Sequence, residues 1–280
     1  MSPLAAIDST AIRIIAFVTG AVIGSFLNVC VARWPKELSV VSPRSRCPNC
    51  SHEIAWFENV PMVSWLALRA RCRGCQQPIS VMYPLVELAV ALGWLVAVIA
   101  YGPGLTALRV AVFGTILFGV VLTDAMEYVI PDGFTAFGLV WALVMAFVAV
   151  FVNETSPFAS LYDSLIGACA AAGAIAIAGW LGEMVLKKEA MGFGDVTLMA
   201  MIGAHLGVAR GLMTIFLGAA LGAVGFLVIV FPMAWLRSRR AGKEFEPPLV
   251  PFGVFLAPAA LLVLLWGDAL LNWYRGLVGL

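Results

Sequence analysis

Seven runs of apolar residues, near 14–32, 83–101, 107–123, 133–152, 161–183, 211–235 and 254–273, are each about the ~17–25 residues that a helix needs to cross a bilayer. An eighth and shorter run, about 196–209, follows Asp195. Hydrocarbon offers backbone groups no partner, so such segments are viable only as helices that satisfy themselves. The sequence therefore predicts an all-α polytopic membrane protein. Its 62% hydrophobic content exceeds the ~45–50% of a soluble domain. A net charge of +1 leaves no electrostatic footprint for nucleic acid.

The basic residues count the crossings. With eight, and with the segment from Arg33 to Ser80 cytoplasmic, thirteen Lys and Arg fall on the cytoplasmic side. Arg13, Arg109, Arg210 and Arg275 fall on the other. With seven crossings Arg237, Arg239, Arg240 and Lys243 change sides, and the split drops to nine against eight. The positive-inside rule selects eight, with both termini outside. The first run has no basic stretch before it and no small-residue cleavage site, so it reads as a span rather than a signal peptide. Val29 is too bulky for an acylation site before Cys30. That thiol, and Cys169 among Ala and Gly, read as helix-packing residues.

Four of the six cysteines lie in the predicted cytoplasmic loop, about 33–80, as Cys47-Pro-Asn-Cys50 and Cys72-Arg-Gly-Cys75. Two C-x2-C knuckles can offer four thiolates to one tetrahedral ion, which points to structural zinc. A redox dithiol pair is the alternative. A loop this short has little core of its own, and a metal would supply the missing stability. His52 beside the first knuckle reads as a solvated loop residue. Trp56, Phe57, Pro61, Met62, Trp65 and Leu66 could pack under the metal or lie on the bilayer surface.

Acids near hydrocarbon are costly and usually functional. Asp124 ends one apolar run, and Asp195 closes Gly192-Phe193-Gly194-Asp195 just before another. Both fall at the predicted cytoplasmic face. Asp195 could simply cap the helix that follows, but the flanking Gly192 and Gly194 free the backbone for close approach of an extended peptide. Asp132 after Pro131 reads as a cap. Glu87 and Glu183 could pair with a base or line a polar cavity, while Asp163 and Asp268 read as solvated. His205 sits too far toward the outer end of its run to serve both aspartates, and no Ser-His or Cys-His arrangement is apparent.

Taken together, these blocks resemble the bacterial type IV prepilin peptidases, GxGD-type intramembrane aspartyl proteases. Gly24-Ser-Phe-Leu-Asn-Val29 with Arg33 and Pro35, the two knuckles, and Tyr83-Pro-Leu-Val-Glu87 follow the family's order. So do Thr123-Asp124 with Ile130-Pro-Asp132, Glu189-Ala-Met-Gly-Phe-Gly-Asp195, and Pro251-Phe-Gly253. Thr197 stands where many members carry Lys.

The resemblance implies that Asp124 and Asp195 share a proton and hydrolyse a peptide bond. The substrates implied are prepilins and pseudopilins, cut where a basic leader meets an apolar helix. It implies a bacterial inner-membrane protein with a part at about 1–105 holding the first two spans and the zinc loop, and a peptidase part at 106–280. It also implies N-methylation of the new terminus with S-adenosylmethionine. No Rossmann fingerprint is present, so methyl transfer rests on the resemblance alone. Two other classes fit less. A coupled transporter would hold its acids near the bilayer midplane, and a scaffold would leave the boundary aspartates and glycines without a role.

Overall fold

The computed structural model describes residues 9–152, 157–187, 191–241 and 250–279. Helices dominate the described residues, with no strand beyond two single bridges in the cysteine loop. Lys188, Glu189, Ala190 and Lys243 of the sequence reading lie outside the described residues. Seven described helical segments are long and apolar enough to cross a membrane. The chain divides inside its fourth helix into two compact units, one through Gly119 and one from Val120.

In the first unit α1 (Ser9–Arg33) leads through a 3-10 turn, Trp34–Lys36, into the cysteine loop. The loop holds the five-residue α2 (Val63–Ala67) and returns to α3 (Met82–Tyr101). After α3 comes α4 (Leu105–Glu127), whose first part closes the unit. Helices α1 and α3 pack backbone to backbone. A methyl on Gly20 would lie 2.8 Å from the Cα of Ala91, and one on Gly24 2.8 Å from the Cα of Glu87. Gly20-x3-Gly24 is the small-x3-small pattern that lets membrane helices approach closely. Cys30 is buried, as its packing role requires. Trp94 donates its indole N–H to the Thr115 hydroxyl at 3.0 Å, joining α3 to α4.

The second unit contains α5 (Asp132–Val152), α6 (Leu161–Leu186), α7 (Phe193–Gly225), a π-helical turn at Phe226–Val230, α8 (Phe231–Ala241) and α9 (Gly253–Val278). Gly207 breaks α7 with φ 80° and ψ −178°, a conformation open essentially to glycine alone. A methyl on Gly211 would lie 3.3 Å from the Cα of Gly203, whereas eight residues of straight helix span ~12 Å. The chain has therefore doubled back. The apolar segment Phe193–Leu236, 44 residues long, is thus two arms, and the eight apolar runs of the sequence correspond to seven long helices with one of them folded at Gly207.

The short first arm of α7 is largely buried. Leu198, Met199, Met201, Ile202 and Ala204 are fully buried, with α5, α6 and α9 around α7. At ~1.5 Å per residue its fourteen residues reach only ~21 Å, so it serves as a core element rather than a lipid-facing rod. Gly167 and Gly203 meet through their backbones, and Ser164 donates to the Ala204 carbonyl at 2.6 Å.

Outward, α6 exposes Ile177, Trp180, Leu181 and Met184, an apolar face of the kind that marks lipid contact. Cys169 is exposed rather than packed between helices. That corrects its sequence reading: small neighbours allow packing but do not require it.

Candidate active site and metal centre

The last turn of α4 and the first turn of α7 carry the two carboxylates to one end of the second unit. Asp124 is 5% exposed and Asp195 9%. Asp124 accepts the backbone N–H of Val254 at 3.0 Å through Oδ2, and the Gly253 N–H also contacts it. Both donors belong to the start of α9, where N–H groups lack helical partners. A methyl on Gly253 would lie 2.8 Å from Asp124 Oδ2 and 2.9 Å from Ile130 Cδ1. Ile130 also covers Gly194, whose added methyl would sit 3.0 Å from the Ile130 Cβ. Ile130 thus links the two acidic corners, and Asp195 lies within electrostatic reach of Asp124.

Helix α7 begins at Phe193 with Gly192 as its N-cap, and no side chain caps it there. Asp195 is the third helical residue and reaches back to the Gly192 backbone N–H, half of a capping box. Capping therefore accounts for one contact of Asp195, not for its proximity to Asp124. The close approach at Gly194 is made by Ile130 of this chain, whereas nothing lies within 3.8 Å of a methyl built at Gly192. Thr197 turns its hydroxyl back to the Gly194 carbonyl at 3.0 Å.

In the cysteine loop the two knuckles repeat one hydrogen-bond pattern. Cys47 N–H donates to the His52 carbonyl and Ser51 N–H to Cys47, while Cys72 N–H donates to Gln77 and Gln76 N–H to Cys72, all at 2.9 Å. Ser51 and Gln76, at matching places, both have positive φ. This pairing brings four sulfurs within 4.8 Å of one another. Cys47 and Cys75 are 3.8 Å apart, and Cys50 and Cys72 3.9 Å. Bonds of about 2.3 Å to a tetrahedral zinc give sulfur separations of ~3.8 Å, so the donor set and its spacing fit such an ion. Backbone N–H groups of Cys50 and Asn49 draw the Cys47 thiol down to about 6. At Cys50 the His52 backbone N–H is outweighed by burial and the neighbouring thiols, which push that thiol up to about 12, so a metal entering the cluster would displace protons from it.

The remaining candidates separate cleanly. His52 is half-buried against Glu58 at 3.2 Å, outside the four-sulfur set. Glu58 accepts the Ala55 N–H at 2.9 Å. That bond, with His52 and Arg73 nearby, holds its carboxyl below the usual carboxylate range. Trp56 and Leu66 are strongly exposed, whereas Trp65 donates its N–H to the Ile79 carbonyl at 3.2 Å.

Glu87 forms no ion pair with a basic side chain among the described residues. It accepts the Met62 N–H at 2.6 Å and a hydrogen bond from Ser25. Asp268 pairs with Arg210, and Asp163 shares two hydrogen bonds with the capping Ser160. Neither is merely solvated, as the sequence had suggested, because neighbours distant or local take up their charge. Glu183 is exposed on α6, and Asp132 opens α5. His205 is buried beside Gly207, ten residues from Asp195 and at the opposite end of that arm, with Nδ1 2.9 Å from the Met201 carbonyl.

Sequence reasoning missed Val254 and Ile130 as the groups that hold the acids, and Met62 as the partner of Glu87. These pairings span up to 130 residues and leave no local periodic signal. Gly20-x3-Gly24, by contrast, is a local packing pattern legible in the sequence.

Comparison with known proteins gives the family. The Bacterial Peptidase A24 N-terminal domain matches residues 18–101, and the Type IV leader peptidase family matches 111–227. A prepilin leader peptidase/N-methyltransferase of Aeromonas hydrophila is 34% identical over 284 residues, covering 93% of this chain and 92% of its own. The chain belongs to the type IV leader peptidase family. A protein of the same description from Pseudomonas aeruginosa is 35% identical over 287 residues, with 93% and 92% covered. One from Myxococcus xanthus is 38% identical over 232 residues, covering 82% of this chain and 65% of its own. No solved structure matches this leader peptidase family member.

Proposed function

We propose that the chain is an aspartyl endopeptidase that removes the basic leader of type IV prepilins and pseudopilins, and that it then N-methylates the new terminus with S-adenosylmethionine. The observation that carries the reading is a pair of buried carboxylates, Asp124 and Asp195, linked through Ile130 in one helical unit, in a chain whose relatives are prepilin leader peptidase/N-methyltransferases.

Two acids that share a buried site resist double ionisation and hold one proton between them. The ionised carboxylate takes a proton from water, and the hydroxide attacks the scissile carbonyl carbon. The protonated partner gives its proton to the carbonyl oxygen. The carboxyl that took the water's proton then passes it to the leaving nitrogen and the C–N bond breaks, while a hydroxyl proton of the tetrahedral intermediate returns to the other carboxylate. The pair acts as a unit, so acid and base are not assigned separately. Val254 and Gly253 fix Asp124 from the start of α9. Gly192 leaves open backbone beside Asp195, where an extended substrate can approach.

The charge distribution of the sequence supports a bacterial inner-membrane setting with the aspartates and the cysteine loop at the cytoplasmic face, where a basic leader stays in water. Cys47, Cys50, Cys72 and Cys75 would hold one structural zinc as thiolates; the ion would close the two knuckles into a folded loop and takes no part in hydrolysis. We assign cleavage to residues 106–280 and methyl transfer to 1–105.

Precursor pilin incubated with the purified protein, with and without S-adenosylmethionine, tests both activities in one mass spectrum. Leader loss in both samples, with one added methyl only when the donor is present, is the expected result. An uncut precursor contradicts the peptidase reading. Cut but never methylated pilin contradicts the transferase reading.

A further inference from the structure

The first unit contains a cavity of about 450 Å³, within the ~300–1,000 Å³ of small-molecule pockets. Trp65 and Leu68 from the region of α2 supply apolar wall, and Glu58 and Glu87 bring two carboxylates to its lining. Glu87 is nearly buried and committed to the Met62 N–H. Glu58 is different. Its side chain is 5% exposed, and Oε2 serves both Ala55 and His52. Oε1 has no hydrogen bond, with only the exposed Arg73 at 3.6 Å.

A buried carboxylate oxygen whose only partner is a long ion pair is under-satisfied and suited to a further hydrogen-bond donor. A carboxylate in a nucleotide-sized cavity is suited to ribose hydroxyls, as in dinucleotide sites. Two of the cavity's other cations are already occupied. Arg33 donates to the Ser39 and Pro43 carbonyls at 2.8 Å, and Arg46 pairs with Glu53 at 2.6 Å. The lining therefore disfavours a phosphate-bearing ligand and suits a nucleoside that carries positive charge.

We propose that this cavity binds S-adenosylmethionine, with Glu58 taking the ribose hydroxyls, the wall around Trp65 and Leu68 receiving the adenine, and Glu87 favouring the sulfonium charge. The assignment rests on the methyl-transfer reading above. When bound, the donor supplies a methyl group to the lone pair of a primary amine, its sulfur leaving as a neutral thioether and the amine's surplus proton passing to water.

The test uses full-length, zinc-loaded protein in detergent with tritiated S-adenosylmethionine. Bound label is counted at equilibrium, then fixed by ultraviolet light and mapped to peptides. Saturable binding is expected, with the label between residues 25 and 87. Glu58→Gln keeps the shape, and Ser64→Trp fills the cavity; each should weaken binding by about tenfold or more while zinc content is unchanged. Label confined to residues 120–280, or wild-type affinity in both variants, overturns the site and leaves methyl transfer standing. Should both variants lose zinc, the position of the label alone decides. Wild-type protein that neither binds the donor nor methylates pre-cleaved pilin overturns the methyl-transfer reading, and this site with it.

Discussion

Asp124 is held by a contact of a few tenths of an ångström's tolerance. Gly253 passes so close to its Oδ2 that an added methyl would sit 2.8 Å away, inside any real carbon–oxygen contact. The neighbours there are the Asp124 carboxylate and Ile130, so a side chain can be admitted only by shifting both. Gly253→Ala should therefore lower prepilin cleavage by about tenfold to a hundredfold, with zinc content unchanged. Cleavage at the wild-type rate would mean that the position of Asp124 is not critical. The acids themselves were legible in the sequence, because a carboxylate at the end of an apolar run needs a reason to be there. Val254 and Ile130 were not, since each acts across the fold through backbone or an ordinary aliphatic side chain. Asp268 misled for the same cause: its partner, Arg210, lies on another helix.

Among the elements, the folded helix α7 and the paired knuckles show what patterning can and cannot deliver. Run lengths separated 196–209 from 211–235, whereas the break falls at Gly207, inside the shorter run. Hydrophobicity could not foretell that the shorter run is the buried one, because lipid and protein core select the same side chains. Gly207 sits at φ 80°, where a Cβ is strained by ~1–3 kcal/mol. Gly207→Ala should lower the thermal midpoint in detergent by several degrees, roughly 2–4 °C per kcal/mol in a chain of this size. An unchanged midpoint would show that the turn tolerates a side chain.

The C-x2-C spacing pointed to the four-sulfur cluster directly, but not to the matched hydrogen bonds that make one knuckle a copy of the other. Those bonds set the sulfurs for a single ion. Metal analysis should find about one zinc per wild-type chain and none in a Cys50→Ser, Cys72→Ser double variant. Freely alkylated thiols in metal-free wild-type protein would defeat the zinc assignment.

For the whole molecule, the proposed division places methyl transfer in the first part and hydrolysis in the second, with an enforced order. The acceptor amine does not exist until the peptide bond is cut. Pre-cleaved pilin should accordingly be methylated by Asp195→Asn and poorly by a protein whose knuckles are disrupted. Equal methylation by both would reduce the loop to a clamp, and loss in both would place methyl transfer at the aspartates. The measurement that bears most directly on the account is leader cleavage by the separate variants Asp124→Asn and Asp195→Asn, each purified in detergent, shown to retain zinc, and compared with wild type by intact mass of the pilin product. Each substitution removes one ionisable member of a pair that works with a shared proton, so both variants should leave the precursor intact, a loss of at least about a thousandfold. Near-wild-type cleavage by either variant would contradict the dyad and reduce that aspartate to a structural residue.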